Sequence, residues 1–284
     1  RAFQGDSYES NVLTPMTESP VNLSSVDVFS CSWGFGDDNE KCLSMPQGSE
    51  DSIIEGVNSG RDGKGCIYIF SAGNGGYGGT DNEGNIIPRE NSNYSGYPNS
   101  RYTIAVAAST KQGKHAPYSE PGANILINAP SGKYNEKNEV RNDFGIATTF
   151  AQQPAEVEPG SDEDKRDCNT LNYSSIEYTK YFSGTSAAAP IVSGVAALML
   201  QINPELSWRD VQHILINTAE KNDPDDEEWI NNAAGYHFNP KYGFGRVDAK
   251  ACVDEAHRYK VQQITAESEI KHTVISNPNK TITD

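Results

Sequence analysis

"GCIYIFSAGNGG", residues 65–76, runs apolar without interruption and then breaks into a glycine loop. A strand that is apolar on both faces has to be covered on both faces, as it is inside a parallel sheet flanked by helices. The neighbouring stretches repeat the pattern. "VDVFSCSW" (26–33) reads as a strand entering a loop at Gly34, while "YTIAVAAS" (102–109) and "NILINAPSG" (124–132) read as further strands. Between the first two, "SEDSIIEGVNSG" (49–60) carries an apolar helical face with Gly60 as its stop. Strand–helix–strand alternation of this kind predicts an α/β domain with a mainly parallel sheet.

Two strong helices follow further on. "YFSGTSAAAPIVSGVAAL" (181–198) opens one after Ser186 that runs to Asn203-Pro204, with Pro190 near its first turn, where a missing N–H matters little. Ser207, with Asp210 three residues later, reads as a capping box for the second, whose Val211, Ile214 and Leu215 share a face. The polar stretch 141–180, with its charged run "SDEDKRD", reads as a long surface insertion, and "DPDDEE" (223–228) as a solvated loop.

Acidic residues outnumber basic ones 39 to 23 and leave a formal charge of −16, which disfavours nucleic acid and suits cations or basic peptides. The sequence has no run of eighteen apolar residues, so no membrane-spanning segment is expected. The first ten residues, "RAFQGDSYES", lack the pattern of a signal peptide. Five cysteines occur without a CxxC pair, which argues against a zinc site, and Cys66 reads as a buried free thiol. Sequons begin at Asn22, Asn93, Asn172 and Asn279, a weak pointer to a secretory route.

The residues that could carry chemistry are Ser186 and Asn74. Alone, the hydroxyls of Thr185 and Ser186 could simply cap a helix, and Asn74 could be a turn residue. Together they admit a sharper reading. A serine at a helix N-terminus is a nucleophile position, and an amide in a rigid glycine loop at a strand's carboxyl end is a donor for an oxyanion. His213 reads as helical and His115 as lying in a surface turn, so neither is expected as the base. Tyr94, Tyr97 and Tyr102 read as packing residues.

"GTSAAAPIVSGVAALML" and "SAGNGG" resemble the serine and oxyanion-asparagine motifs of the subtilisin-like serine proteases. "SCSWGFGDD", "SWRDVQHILINTA" and "KYGFGRVDA" are similar to the kexin/furin branch of that family, the proprotein convertases. The resemblance implies a three-layer α/β/α fold for residues 1–260, and the start of a β-rich P domain at 261–284. It implies Ser186 as nucleophile and Asn74 as oxyanion donor. Ser32, Trp33 and Gly34 would line the cleft as an edge strand, with Ser71, Ala72, Gly73 and Thr185 on the other wall.

The same resemblance makes Asp37 the acid that selects arginine before the cut, and Asp37, Asp81 and Glu120 a calcium site beneath that pocket. It implies a calcium-dependent, secretory-pathway endopeptidase acting on polypeptides, with its own propeptide as inhibitor and no nucleic-acid partner. The family's catalytic aspartate and histidine are expected N-terminal to this segment, since no His-Gly-Thr stretch occurs in it. A disulfide from Cys168 to that region is expected as well.

Two departures stand out. Ser95 in "NYSGY" falls where convertases carry a second pocket acid, and "KCLSMP" lacks the acid that reads a more distant basic residue. A broad-specificity degradative subtilisin and a non-catalytic peptide-binding relative are the rival readings.

Overall fold

The computed structural model describes residues 25–35, 42–77, 79–80, 86–87, 89–132, 145–149 and 178–259. Its centre is a four-stranded parallel sheet: β1 (Val28–Cys31), β2 (Ile67–Ser71), β3 (Thr103–Ser109) and β4 (Ile125–Pro130), ordered β1-β2-β3-β4. The register pairs Cys31 with Phe70 and Phe70 with Ala105, so the carboxyl ends of the strands lie along one rim. Alternation along β2 sets the layers. Tyr68 and Phe70 pack with Ile53 and Val57 of α1 (Gln47–Gly63), while Ile67 and Ile69 pack with α2 (Thr185–Ile202), α3 (Trp208–Thr218) and α4 (Ala249–Arg258). Both faces of the strand are therefore dry, which is why its sequence is apolar throughout. The result is the three-layer arrangement expected from the sequence.

The local signals behave as their chemistry dictates. Ser207 caps α3, its hydroxyl accepting from the Asp210 N–H at 3.1 Å, while the Asp210 carboxylate accepts from the Ser207 N–H at 2.8 Å. One helix boundary needs correcting. Pro190 is the sixth residue of α2, inside its second turn rather than its first. Within 141–180, Ile146–Thr149 and Tyr178–Phe182 pair as a two-stranded antiparallel ribbon. By length and composition α2 could cross a membrane, yet more than half of it is buried in the protein, against the sheet and α4. The expected P domain at 261–284 lies outside the described residues.

The regular part of α1 ends where Gly60 leaves helical geometry, and Arg61 and Asp62 then take left-handed backbone with φ of 52° and 56°. That turn drives the Arg61 side chain inward, where it is almost fully buried. Its Nε meets Asp27 at 3.1 Å, Nη1 donates to the carbonyls of Gly65 and Leu206, and Nη2 donates to that of Pro204. One planar guanidinium thus ties the entry to β1, the exit from α1 and the link between α2 and α3.

His115 is half-buried rather than in an open surface turn, edge-on to Tyr242 with ring centroids 6.0 Å apart. Its Nε2 has no hydrogen-bond partner. Burial, assisted by the Lys241 charge and opposed by Asp226 and Glu228, lowers its pKa from 6.5 to about 4.

Two outcomes are expected. Arg61→Ala should lower stability by about 3 kcal/mol, since it leaves buried carbonyls unpaired, and Arg61→Lys should recover little of it because an ammonium cannot span those acceptors. Urea denaturation midpoints measure both. The depressed pKa of His115 means that the unfolded chain binds a proton there that the folded chain refuses. Its contribution is intact above pH 6.5 and is lost as pH falls toward about 4. Denaturation curves across that window should slope less in His115→Phe than in wild type.

Candidate active site

Strands β1 and β2 are paired up to Cys31 and Phe70, and beyond that point they part. Residue 72 stays with β3, its N–H donating to the Val106 carbonyl at 3.0 Å, so residues 32–34 and 71–73, the two expected walls of a cleft, leave the sheet as separate segments. The carboxyl rim of a parallel sheet is where such folds hold ligands. Trp33 is fixed on its wall by edge-on contacts to Phe70 and Tyr97, with centroids at 5.2 and 5.0 Å. Tyr97 is a packing residue as expected, Tyr102 packs on Trp208, and Tyr94 does not pack: it is exposed.

The start of α2 sits at the head of this cleft. Its N-cap is Gly184, with φ of 84° and no side-chain cap. The hydroxyls of Thr185 and Ser186 therefore do not cap the helix; they point at other segments. The Thr185 N–H, one of the helix's orphan donors, is taken by Asn74 Oδ1 at 2.8 Å, and the Thr185 hydroxyl donates to the same oxygen at 3.0 Å. A backbone N–H can only donate, so the amide atom facing it is oxygen, and the NH₂ end of Asn74 is turned the other way. That Nδ2 has no partner among the described residues and stays accessible to water. Gly73 closes the knot, its N–H donating to Thr185 Oγ1 at 3.3 Å.

A second set of bonds grips the residue before the helix. The buried Tyr118 hydroxyl accepts from the Gly184 N–H at 3.2 Å and donates to the Gly132 carbonyl at 2.6 Å; the Ser131 hydroxyl donates to the Gly184 carbonyl at 2.8 Å. Ser186 itself is half-buried and its Oγ donates to the Ser32 carbonyl at 3.4 Å. Among the described residues no histidine bonds to it. The buried thiols are no alternative nucleophiles: burial pushes Cys31 up to about 12 and Cys66 up to about 11.

Residues 4–245 match the Peptidase S8 model, the subtilase family. The chain is a subtilase. It is 34% identical over 231 residues to kexin of Saccharomyces cerevisiae, an alignment covering 80% of this chain and 23% of the yeast protein. It is also 34% identical over 233 residues to human proprotein convertase subtilisin/kexin type 7, covering 81% of this chain and 25% of that one. The chain therefore spans about a quarter of the length of these relatives. The fold matches a serine protease of Aeromonas sobria solved with its chaperone, with a TM-score of 0.70 at 22% identity, over 89% of this chain and 46% of that one.

In this subtilase hydrogen bonds join Ser186 to Ser32, and Thr185 to Asn74 and Gly73; Trp33 and Gly34 follow Ser32, and Ala72, expected on the facing wall, is buried. Asp37 and Asp81 lie outside the described residues, as does Cys168; Cys31, Cys42, Cys66 and Cys252 are free thiols. Glu120 is buried directly behind the 73–75 loop, accepting from the Gly75 N–H at 3.1 Å. Glu90 lies against the same loop: its N–H donates to the Gly75 carbonyl, and a Cβ on Gly75 would fall 2.8 Å from its carboxyl carbon. Glu90 carries little mark in the sequence beyond being an acid four residues before the "YSGY" turn. Ser95 Oγ lies 4.0 Å from where a Cβ on Gly34 would stand. The "KCLSMP" loop pairs with its turn through Leu43 and the residues on either side of Ser95.

Among the described residues there is no cluster of three or more His, Cys, Asp or Glu fit to hold a metal ion.

Gly73 has φ of 113°, and a Cβ there would lie 2.1 Å from Glu120 Oε1. Gly73→Ala is expected to lower stability by at least about 2 kcal/mol through backbone strain alone. Thermal unfolding of this variant alongside Gly63→Ala, which has open space but the same sign of φ, separates the clash from the strain.

Proposed function

We propose that this subtilase is the larger part of the catalytic domain of a kexin/furin-type serine endopeptidase of the secretory pathway. The observation that carries the reading is the Thr185–Asn74 knot, which turns a side-chain amide donor toward the cleft beside Ser186. A polypeptide would lie as an added strand between the walls at 32–34 and 71–73. Ser186 Oγ attacks the scissile carbonyl and passes its proton to a histidine oriented by an aspartate. The developing oxyanion is held by Asn74 Nδ2 and by the Ser186 N–H at the positive end of α2, a donor set in which one member contributes about 3 kcal/mol. An acyl-enzyme forms, and water releases it.

The base is assigned to another part of the longer protein. Two features support this: no imidazole bonds to Ser186 among the described residues, and β1 is an edge strand there, with unpaired backbone available to a further strand. Calcium is proposed beneath the pocket. The described oxygen donors on the 73–75 loop are Glu120 and Glu90, and Asp37 and Asp81 would complete the set. When bound, calcium would supply positive charge among these carboxylates and stiffen the loop that carries Asn74. The full protein would bind its propeptide in the same cleft before activation, and the acidic surface gives no reason to expect nucleic acid.

Selectivity for arginine or lysine before the cut is assigned to Asp37, with neutral Ser95 on the pocket wall keeping it modest. A charge-assisted pair of about 1.5–3 kcal/mol gives roughly one to two decades in kcat/KM over a neutral side chain. The test is a peptide library varied at that one position, run on the full-length protein and on Asp37→Asn and Ser95→Asp. Loss of the preference in the first and sharpening in the second are expected. A wild-type preference for large apolar residues, unchanged in Asp37→Asn, would make this a degradative protease instead. No cleavage at all, with Ser186 unreactive, would leave a peptide-binding module.

A further inference from the structure

The helix that carries Ser186 has a proline at a position that matters for that serine. In an α-helix the N–H of residue i+4 bonds to the carbonyl of residue i, and the residue four beyond Ser186 is Pro190, which has no N–H. The Ser186 carbonyl is therefore deprived of the bond that would tie it into the helix. The structure supplies another donor: Ser32 Oγ, at the end of β1 and 154 residues away, donates to it at 2.9 Å. The tie is reciprocal, because Ser186 Oγ reaches back to the Ser32 carbonyl. Two residues earlier on β1 and two turns further along α2, Ser30 Oγ and Ser193 Oγ meet at 2.9 Å, so the strand–helix seam is stitched by hydroxyls at both levels.

We infer that Ser32 is a positioning residue. Its hydroxyl replaces the helix bond that Pro190 removes and so fixes the backbone of Ser186 relative to the Asn74 donor. This rests on the protease reading above, and it is distinct from any contact of the Ser32 backbone with a peptide. A carbonyl left without a donor at the first turn would let Ser186 rotate, and small displacements of a nucleophile are expensive in rate. The consequence falls on the chemical step and not on substrate binding.

The experiment uses the full-length protein and a fluorophosphonate probe, with labelling of Ser186 confirmed by peptide mass. The second-order labelling rate is measured against pH and expressed per folded molecule from circular dichroism. Ser32→Ala should slow labelling about tenfold without shifting the midpoint of the pH profile. With a peptide substrate it should lower kcat and leave KM in place. Ser32→Thr, which keeps a hydroxyl, should stay within about threefold of wild type. The deciding variant is Ser32→Ala combined with Pro190→Ala, which returns an N–H to the helix where Ser186 needs one. It should recover to within about twofold of Pro190→Ala alone. Ser32→Ala as fast as wild type, or a double variant as slow as Ser32→Ala, overturns the positioning role while the protease reading stands. A wild-type protein in which Ser186 never labels overturns the protease reading and the positioning role with it.

Discussion

The bond from the Thr185 N–H to Asn74 Oδ1 is the constraint on which the rest of the rim depends. It satisfies a helix terminus from a segment 111 residues away, so the loop after β2 and the start of α2 cannot move independently. It also decides which end of the Asn74 amide faces the cleft, a choice no local sequence rule makes. Gly184 must take positive φ to let Thr185 reach that oxygen, and Tyr118 and Ser131 hold Gly184 by both its backbone groups. A helix with an ordinary side-chain cap would spend its own hydroxyls on its own N–H groups, and none would be left to face the cleft.

The sheet supplies the other half of the arrangement. The central strands β2 and β3, buried on both faces, leave their carboxyl rim for chemistry, and there β1 and β2 are no longer paired after Cys31 and Phe70. Hydrophobic burial orders the layers, and a small number of polar bonds then tie the start of α2 to the loop after β2 and to Ser32. The two kinds of force act on different residues, so the site can vary without disturbing the core.

Much of this was legible in the sequence. The apolar runs at 67–71 and 103–109 and the capping box at Ser207 and Asp210 rest on spacing or on motifs within a few residues. What was not legible shares a physical character. Arg61 reads as a surface charge until the left-handed turn buries it, and Glu90 reads as one acid among 39 acidic residues until it is seen against Gly75. The Ser131–Gly184 and Ser32–Ser186 ties join residues 53 and 154 positions apart. Sequence periodicity carries no information about such partners, because a hydroxyl or a guanidinium looks the same whether its acceptor is water or a carbonyl from another helix. Pro190 was misplaced by a few residues for a simpler reason: the helix begins at Thr185, ahead of Ser186, and a boundary shift of that size changes which turn a proline occupies.

The Arg61 clasp has a consequence for the order in which the chain matures. Its acceptors at Pro204 and Leu206 lie 143 and 145 residues further on, so the guanidinium cannot be satisfied while only the first half of the protein has emerged. Until α2 and α3 dock, a strained left-handed turn carries a guanidinium held only by Asp27 and the Gly65 carbonyl, and the end of α1 has less reason to stay closed. Contacts of such long sequence separation form late and slow the search for the native state. The clasp therefore acts as a latch on completion: a nascent chain stalled before residue 204 leaves this corner of the fold open to chaperones and proteases, and a finished one hides it.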